Sequence, residues 1–315
     1  MQKAVLTLAS IVVLSGSIIS CGTQASNDLQ LATGSVASEH ASVATTAYAK
    51  AYSLEKAGKT RKAIKQYQFV ADGFRLSPEA PKALLRAADL LYTSGQLIKS
   101  FDSHELFVSR YHGTSQYNTA LKRQAIVAHA AADGSIQNNF LGLKSNIPRS
   151  KVETMLGQVR DNAPHANSAP KAQFTIGHMW ESEKNLGKAI KAYEEVQVRY
   201  PKSNYAPEAL YKVGTLLLKQ AEKGNRNASN LNTAKTTFTD LTLLYPSSKH
   251  AASAKKKIKE INSSDIQRSF DNAEFYEKKQ QNTAAIFYYR EVISKTKAGS
   301  ELNRIAKQRI ATLSK

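Results

Sequence analysis

The sequence predicts an all-α protein built from repeated helix pairs, and three kinds of observation support this. The 315 residues are rich in Ala and Lys but include only 15 Gly and 8 Pro, a balance that favours helices over turn-dense β structure. The stretch Lys62-Ala63-Ile64-Lys65, followed by Tyr67 and Val70, recurs 126 residues later as Lys188-Ala189-Ile190-Lys191 with Tyr193 and Val196. The third observation is a helical spacing of apolar residues, and together the three predict tandem units.

Each unit ends in a helix with an apolar stripe at positions i, i+4, i+7 and i+11, which places the stripe on one buried face. Proline after Tyr200 and Tyr245 ends two of these helices, because proline lacks the backbone donor that a helix needs. The stripes are Ala63/Tyr67/Val70/Phe74, Ser100/His104/Phe107/Tyr111, Ala189/Tyr193/Val196/Tyr200, Ala234/Phe238/Leu241/Tyr245 and Ala285/Tyr289/Val292. The position of His104 within a stripe favours a packed core histidine over a functional one.

A preceding helix in each unit carries a small residue twelve positions before the small residue that begins the stripe. These pairs of small sites are Ala51 with Ala63, Ala88 with Ser100, Gly177 with Ala189 and Ala273 with Ala285, while Gly214 and Ala234 are separated by an insertion. Two antiparallel helices approach closely only where neither presents bulk, and such pairing is a hallmark of the tetratricopeptide repeat. The predicted fold is therefore a tetratricopeptide-repeat α-solenoid of about five to six helix pairs.

The predicted boundaries give 44–132 to the N-terminal repeats, 133–166 to a degenerate repeat, and 167–315 to the C-terminal repeats with a capping helix. In the degenerate repeat, fifteen extra residues separate the helices and the large Val152 replaces a small residue. Gly224-Asn225-Arg226-Asn227 predicts a second inserted loop. An extra helix is predicted over 250–262, with Ser263-Ser264-Asp265 capping the next helix and a last helix over about 300–313.

The first twenty residues predict a lipoprotein signal peptide. Lys3 precedes an apolar stretch too short for a membrane span, and Ile18-Ile19-Ser20-Cys21 resembles a bacterial lipobox. Cys21 is the only cysteine, so it is the predicted lipidation site and no intramolecular disulfide can form. Residues 21–43 are small and polar, which predicts a flexible tether between the acylated cysteine and the repeats.

The lipobox, the tether, the Tyr-Pro-x-Ser junctions and the final unit with Ala273-Glu274-Phe275-Tyr276 resemble the BamD family of outer-membrane assembly lipoproteins. The resemblance covers roughly residues 44–313. It implies a lipid-anchored protein of the outer membrane that faces the periplasm and binds the central assembly barrel protein and client barrel proteins. The first unit departs from the family pattern, since Phe74-Arg75-Leu76-Ser77-Pro78 stands in place of Tyr-Pro.

The sequence predicts no catalytic residue, no metal ligand and no cofactor. The single cysteine is assigned to lipid, no Gly-x-Ser-x-Gly elbow occurs, and the seven histidines have no metal-ligand spacing. The formal charge of +19 is compatible with peptidoglycan, anionic lipid or acidic proteins. The predicted export from the cytoplasm argues against nucleic acid as the partner of this basic surface. An adaptor for peptidoglycan enzymes or the envelope division machinery is the alternative that the charge leaves open.

In such solenoids the first helix of each pair lines a concave groove. Residues three before and one after each small site are predicted to face it, with Tyr92 one turn beyond Asp89, and aromatic residues are frequent there. The alternative is that some of the tyrosines pack between neighbouring units. An apolar or aromatic anchor on a client segment would suit this lining, because buried aromatic contacts dominate interface energy. The predicted partner-binding residues are Tyr48, Tyr52, Leu85, Asp89, Tyr92, Phe174, His178 and Tyr211.

Overall fold

The structure is a computed structural model that describes residues 35–134, 137–138, 144–223 and 228–315. The predicted signal peptide, Cys21, the tether up to residue 34 and the loop at 224–227 lie outside the described residues. Within the described ranges the chain forms thirteen helices and one pair of two-residue strands. They are α1 (Ser35–Lys56), α2 (Thr60–Gly73), α3 (Glu79–Thr93), α4 (Leu97–Arg110), α5 (Tyr117–Ala132), β1 (Gln137–Asn138), β2 (Lys144–Ser145), α6 (Arg149–Asn162), α7 (Ser168–Ser182), α8 (Leu186–Arg199), α9 (Ala206–Lys223), α10 (Ala228–Leu244), α11 (Lys249–Lys278), α12 (Asn282–Lys295) and α13 (Glu301–Leu313).

The predicted all-α solenoid is confirmed, because each helix packs against the next one along the chain from α1 to α13. The only described strands are β1 and β2, an antiparallel pair in the insertion of the degenerate unit. The helix pairs are α1/α2, α3/α4, α5/α6, α7/α8, α9/α10 and the second half of α11 with α12. The first and second members of each pair are called its first and second helix below.

The predicted small sites lie where the paired helices cross. Ala51, Ala63, Ala88 and Ser100 are 0% exposed, and so are their counterparts Ala189, Ala234, Ala273 and Ala285. At Gly177 an added Cβ would lie 2.6 Å from the ring of Tyr193, and at Gly214 it would lie 2.6 Å from the ring of Phe238. The glycines are therefore required by the aromatic residues that pack against them.

The turn between the two helices of a unit depends on one residue with left-handed backbone geometry, five positions before the second small site. Gly58 and Gly95 take this place in the first two units, with φ of 70° and 77°. Lys184 and Gln280 take it in later units, with φ of 59° and 57°. Glycine adopts this geometry without steric cost, whereas the two side-chain residues do so at some strain.

The helices differ from the sequence prediction at two places. Helix α1 begins at Ser35, so residues 35–43 of the predicted tether are helical; the segment contains neither glycine nor proline, so no residue there interrupts the helix. The predicted break at Ser263-Ser264-Asp265 is wrong, because α11 runs unbroken for 30 residues. The segment contains neither glycine nor proline, so no residue there forces a helix to end.

The apolar core consists of three clusters along the solenoid. The first joins α1 to α5, the second extends from α4 to the start of α11, and the third belongs to the rest of α11 with α12 and α13. No buried residue is shared between the second and the third. Residues 255–268, in the middle of α11, include no buried side chain.

Candidate functional site

The candidate site is the inner face of the solenoid, formed by the first helices. Contacts skip over the intervening helix between α1 and α3, between α5 and α7, and between α9 and α11. These elements are all first helices, so the first helices lie closer together than the second helices do. The inner, concave side of the array is therefore the one predicted from the sequence.

A row of alternating charges crosses the inner face from α1 to α5. Arg86 on α3 donates from Nε to Oε1 of Glu55 on α1 at 3.0 Å, and Asp89 on α3 accepts from Nη1 of Arg123 on α5 at 2.7 Å. The hydrogen bond from Arg86 lowers the pKa of the Glu55 carboxyl, whereas burial raises the pKa of Asp89. The row holds three successive first helices together by charge-assisted bonds.

A hydrogen bond between a tyrosine and a glutamate recurs in three units. The hydroxyls of Tyr67, Tyr193 and Tyr289 each donate to a glutamate twelve residues earlier, Glu55, Glu181 and Glu277, at 2.8, 2.8 and 2.6 Å. Each glutamate is also paired with a cation two helices further along the chain, namely Arg86 on α3, Lys212 on α9 or Arg309 on α13. Burial raises the pKa of all three tyrosines, so they stay protonated and keep donating.

The second unit replaces this pair. Tyr92 stands where those three units have glutamate, and His104 stands where they have tyrosine. Nδ1 of His104 lies 2.9 Å from the carbonyl oxygen of Ser100, while Nε2 is buried without a hydrogen-bond partner. His104 is 1% exposed, as its predicted role in the core requires. Tyr92 lies at the surface and is 37% exposed.

The structure divides the predicted groove residues into two groups. Tyr52 is 50% exposed, and Tyr92 and His178 are also exposed, so these three can meet a partner. Tyr52 lies three residues before Glu55 and Tyr92 three after Asp89, so each flanks the charged row by one helical turn.

The remaining predicted residues are occupied by contacts within the chain. Tyr48 packs on Tyr67, Phe174 on Tyr193 and Tyr205, and Tyr211 on Phe238 and His250, with ring centroids 5.1–5.8 Å apart. Asp89 is bound by Arg123. Leu85 is 6% exposed within the apolar core, which corrects its predicted place in the lining, because the first helices pack too closely there to leave it a surface.

Sequence reasoning missed the glutamates, although a signal was present. Glu55 and Glu181 are separated by 126 residues, the same offset that relates the repeated motifs. Each lies twelve positions before a stripe tyrosine, the spacing already found between the small sites. The twelve-residue spacing could therefore have identified the stripe tyrosine as the hydrogen-bond partner of each glutamate.

The tyrosine–glutamate bond predicts a measurable contribution to stability. Tyr193→Phe removes the hydroxyl that donates to Glu181, and we expect the free energy of unfolding to fall by about 1–3 kcal/mol, as for a hydrogen bond to a charged group. Tyr200→Phe is the matched control, because the Tyr200 hydroxyl is buried without a partner in the structure. Urea unfolding of both variants is the measurement, and equal losses would contradict the assigned role.

Among the described residues, no three His, Cys, Asp or Glu side chains are grouped so that they could hold a metal ion. No helix in the described part of the chain has the length and apolar character needed to cross a membrane.

These features define the chain as a tetratricopeptide-type solenoid, a class whose concave faces bind other proteins. Residues 164–304 match the model of the YfiO family, described as outer membrane lipoprotein, which confirms the resemblance to the BamD family over that segment. The match covers α7 to α12 completely, together with the start of α13. No curated protein matches the sequence significantly.

Several solved structures resemble the chain at low identity. A tetratricopeptide repeat protein from Parabacteroides merdae ATCC 43184 is 11% identical, with 86% of this chain and 99% of that chain covered and a TM-score of 0.32. MamA from Desulfovibrio magneticus RS-1 is 15% identical, with coverages of 69% and 99% and a TM-score of 0.31. The tetratricopeptide domain of P58(IPK) is 15% identical, with coverages of 88% and 78% and a TM-score of 0.33. Similarity at this level says nothing about function.

Proposed function

We propose that the chain is a lipid-anchored scaffold that faces the periplasm and binds proteins during the assembly of outer-membrane β-barrel proteins. The observation that carries the proposal is the match of residues 164–304 to a family of outer membrane lipoproteins. The sequence adds a lipobox ending at Cys21, the proposed site of acylation. The partners are then the central assembly barrel protein and its client barrel proteins.

The inner face between α1 and α3 is the proposed client site. Tyr52 and Tyr92 have exposed rings. The row of paired charges, formed by Glu55, Arg86 and Asp89, lies between these two tyrosines along the helices. An unfolded barrel protein presents apolar and aromatic side chains at alternate positions, and such side chains bury area against tyrosine rings. Since the charged row is neutralised internally, binding there does not require a charged client.

We expect the double variant Tyr52→Ala, Tyr92→Ala to bind an unfolded outer-membrane barrel protein roughly tenfold more weakly, or worse, because aromatic residues carry a large share of interface energy. Helicity should be unchanged, because both rings lie largely at the surface. Fluorescence anisotropy with a labelled barrel precursor measures the affinity, and circular dichroism checks the fold.

Phe69→Ala is the matched control for this pair. Phe69 is 54% exposed but lies on α2, a second helix on the outer side of the solenoid. Its removal should leave capture of the barrel precursor unaltered. Unchanged capture by the Tyr52/Tyr92 double variant would refute the groove assignment.

The cellular role is tested by crosslinking the Cys21-acylated protein in envelope membranes and identifying the most enriched partner by mass spectrometry. A large outer-membrane barrel protein with periplasmic domains is the expected partner. Recovery of cell-wall hydrolases or synthases instead would support the alternative, an adaptor for peptidoglycan enzymes or the division machinery. The charge of +19 is the observation that favours this alternative, since peptidoglycan is anionic.

A further inference from the structure

In the described residues, the first helix of the last unit lacks a preceding second helix of the kind that packs beside α3, α7 and α9. Helices α3, α7 and α9 are each packed between two second helices, the one before and the one after in the chain. In α11, Ala251 and Ala254 belong to the core that α10 shares, whereas Phe270 and Ala273 belong to the separate core of α12 and α13. Helix α11 therefore serves as the first helix of two successive positions, and the described residues place no second helix between them.

The missing neighbour exposes positions that are buried elsewhere. The residues two and three positions after the first small site are Leu90 and Leu91, Met179 and Trp180, and Leu216 and Leu217 in the flanked units, all at most 9% exposed. In α11 the corresponding residues are Phe275, which is 55% exposed, and the partly exposed Tyr276. Helix α1 also has no preceding helix in the described chain, and there the equivalent position is the polar Ser53. A phenylalanine at such a position indicates a surface that is covered in the assembled protein.

Phe275 is part of a row of four aromatic rings, the aromatic patch, formed by Phe275, Tyr276, Tyr288 and Phe287. Successive ring centroids are 5.4, 5.5 and 5.2 Å apart, and the two tyrosine rings are stacked within 4° of parallel. Phe287 on α12 is 64% exposed. The stack fixes the tyrosines, so the two phenylalanines at its ends are presented on a rigid base.

A cleft of about 500 Å³ lies along α11, on the N-terminal side of the aromatic patch. Its walls are the end of α9, the start of α10 and the part of α11 from Lys257 to Asp271. Leu218, Leu231 and Ile261 contribute apolar surface. Asp271 lies four residues before Phe275, which puts both on the same side of α11. The cleft and the patch thus form one elongated surface.

The charges differ along this surface. In the cleft they are largely paired, since Lys257 binds Glu260 at 2.8 Å and Asp265 binds both Arg268 and Lys295. Around the patch, Lys278, Lys279 and Arg290 are exposed and form no ion pair among the described residues, and these three cations outnumber the two carboxylates nearby that also form none there, Asp271 and Glu274. Nζ of Lys279 lies 5.8 Å from the ring centroid of Phe275. The patch end of the surface therefore favours an acidic partner.

We propose that this surface binds an acidic amphipathic helix from another protein, which takes the place of the second helix missing before the last unit. The chain's own second helices α2, α4, α8 and α12 have 14 residues, and a helix of that length reaches from the cleft to the patch. Its apolar residues, spaced i, i+4, i+7 and i+11 as in those helices, lie along α11 between Ile261 and Phe275, and its acidic residues meet Lys278 and Lys279. A flat bilayer would touch the protruding rings but not the walls of the cleft. The inference goes beyond the proposed function and does not depend on the groove at Tyr52 and Tyr92.

Photo-crosslinking in the native host tests this proposal. The full chain carries p-benzoylphenylalanine in place of Phe275 or of Phe287, and in place of Phe69 as the matched control. We expect irradiation to join both patch positions, but not position 69, to one segment of another protein that is acidic and apolar at helical spacing. No adduct at either patch position, or adducts to phospholipid, to a second copy of this chain or to a segment without helical spacing, would overturn the proposal.

The affinity of the mapped segment completes the test. As a synthetic peptide it should bind the purified full chain at least tenfold more weakly after Phe275→Ser, the residue found at the equivalent position in α1, and equally well after Phe69→Ser. Thermal unfolding verifies that both variants fold. Equal affinity for the two variants rules the site out. Crosslinking from the patch should persist in the Tyr52→Ala, Tyr92→Ala variant, which separates this site from the client groove.

Discussion

Replacing Gly177 with alanine is expected to lower the free energy of unfolding by about 1–3 kcal/mol, the usual cost of overpacking a close-packed core. The added methyl group would lie 2.6 Å from ring atoms of Tyr193, a residue that is 0% exposed and held by Glu181. The ring cannot move without breaking that bond or separating α7 from α8. The gain in helix propensity, about 0.5–1 kcal/mol for alanine over glycine, offsets only part of the loss.

Gly157→Ala is the control, because Gly157 lies within α6 and an added Cβ would meet only the flexible end of Arg160 at 3.8 Å. This variant should gain the propensity term and become more stable. Urea unfolding monitored by circular dichroism measures both. If Gly177→Ala were as stable as Gly157→Ala, the close approach of α7 and α8 at this site would be wrong.

Acid is expected to destabilise the second unit through His104. Burial lowers the pKa of His104 from 6.5 to about 4, because the ring is surrounded by apolar side chains and Arg123 adds unfavourable positive charge. The unfolded chain takes up a proton at higher pH than the folded chain does. The stabilising contribution is therefore complete above about pH 6.5 and falls by about 3 kcal/mol as the pH approaches 4.

His104→Phe isolates this effect, since phenylalanine occupies the same stripe position in the unit of Phe238. We expect the stability of the variant, measured by urea unfolding at several pH values, to depend less steeply on pH between 6.5 and 4. Burial also lowers the pKa of His129 to about 4, so some dependence remains. An unchanged slope in His104→Phe would show that His104 does not contribute to it.

The fold was predictable from the sequence where packing repeats. The small sites and stripes recur at fixed offsets, because every unit brings two helices together in the same way. The burial of residues such as Ala63 and Tyr67 could therefore be predicted from their positions in the repeat. The unbroken α11 was not predictable in this way. Ser263-Ser264-Asp265 has the composition of a helix cap, and only tertiary packing at both ends of α11 decides that the helix continues.

The inner face was predictable in part. Its location follows from the repeat, which is why Tyr52 and Tyr92 were identified. Whether an aromatic residue faces outward or packs on its neighbour depends on contacts between units, and these placed Tyr48, Phe174 and Tyr211 against other rings. The aromatic patch escaped prediction because its exposure depends on which helices flank α11, and in the described residues none covers Phe275.

Helix α11 also affects how folding is shared along the chain. Residues 255–268 include no fully buried side chain, and their partly buried isoleucines divide between the two cores: Ile258 and Ile261 pack on the second and Ile266 packs on the third. Cooperativity between neighbouring repeats comes from the interface between them, and here α11 joins the two cores through partly buried side chains. We therefore expect the terminal unit to open more readily than the rest of the solenoid, and a helix bound across the junction to couple the two.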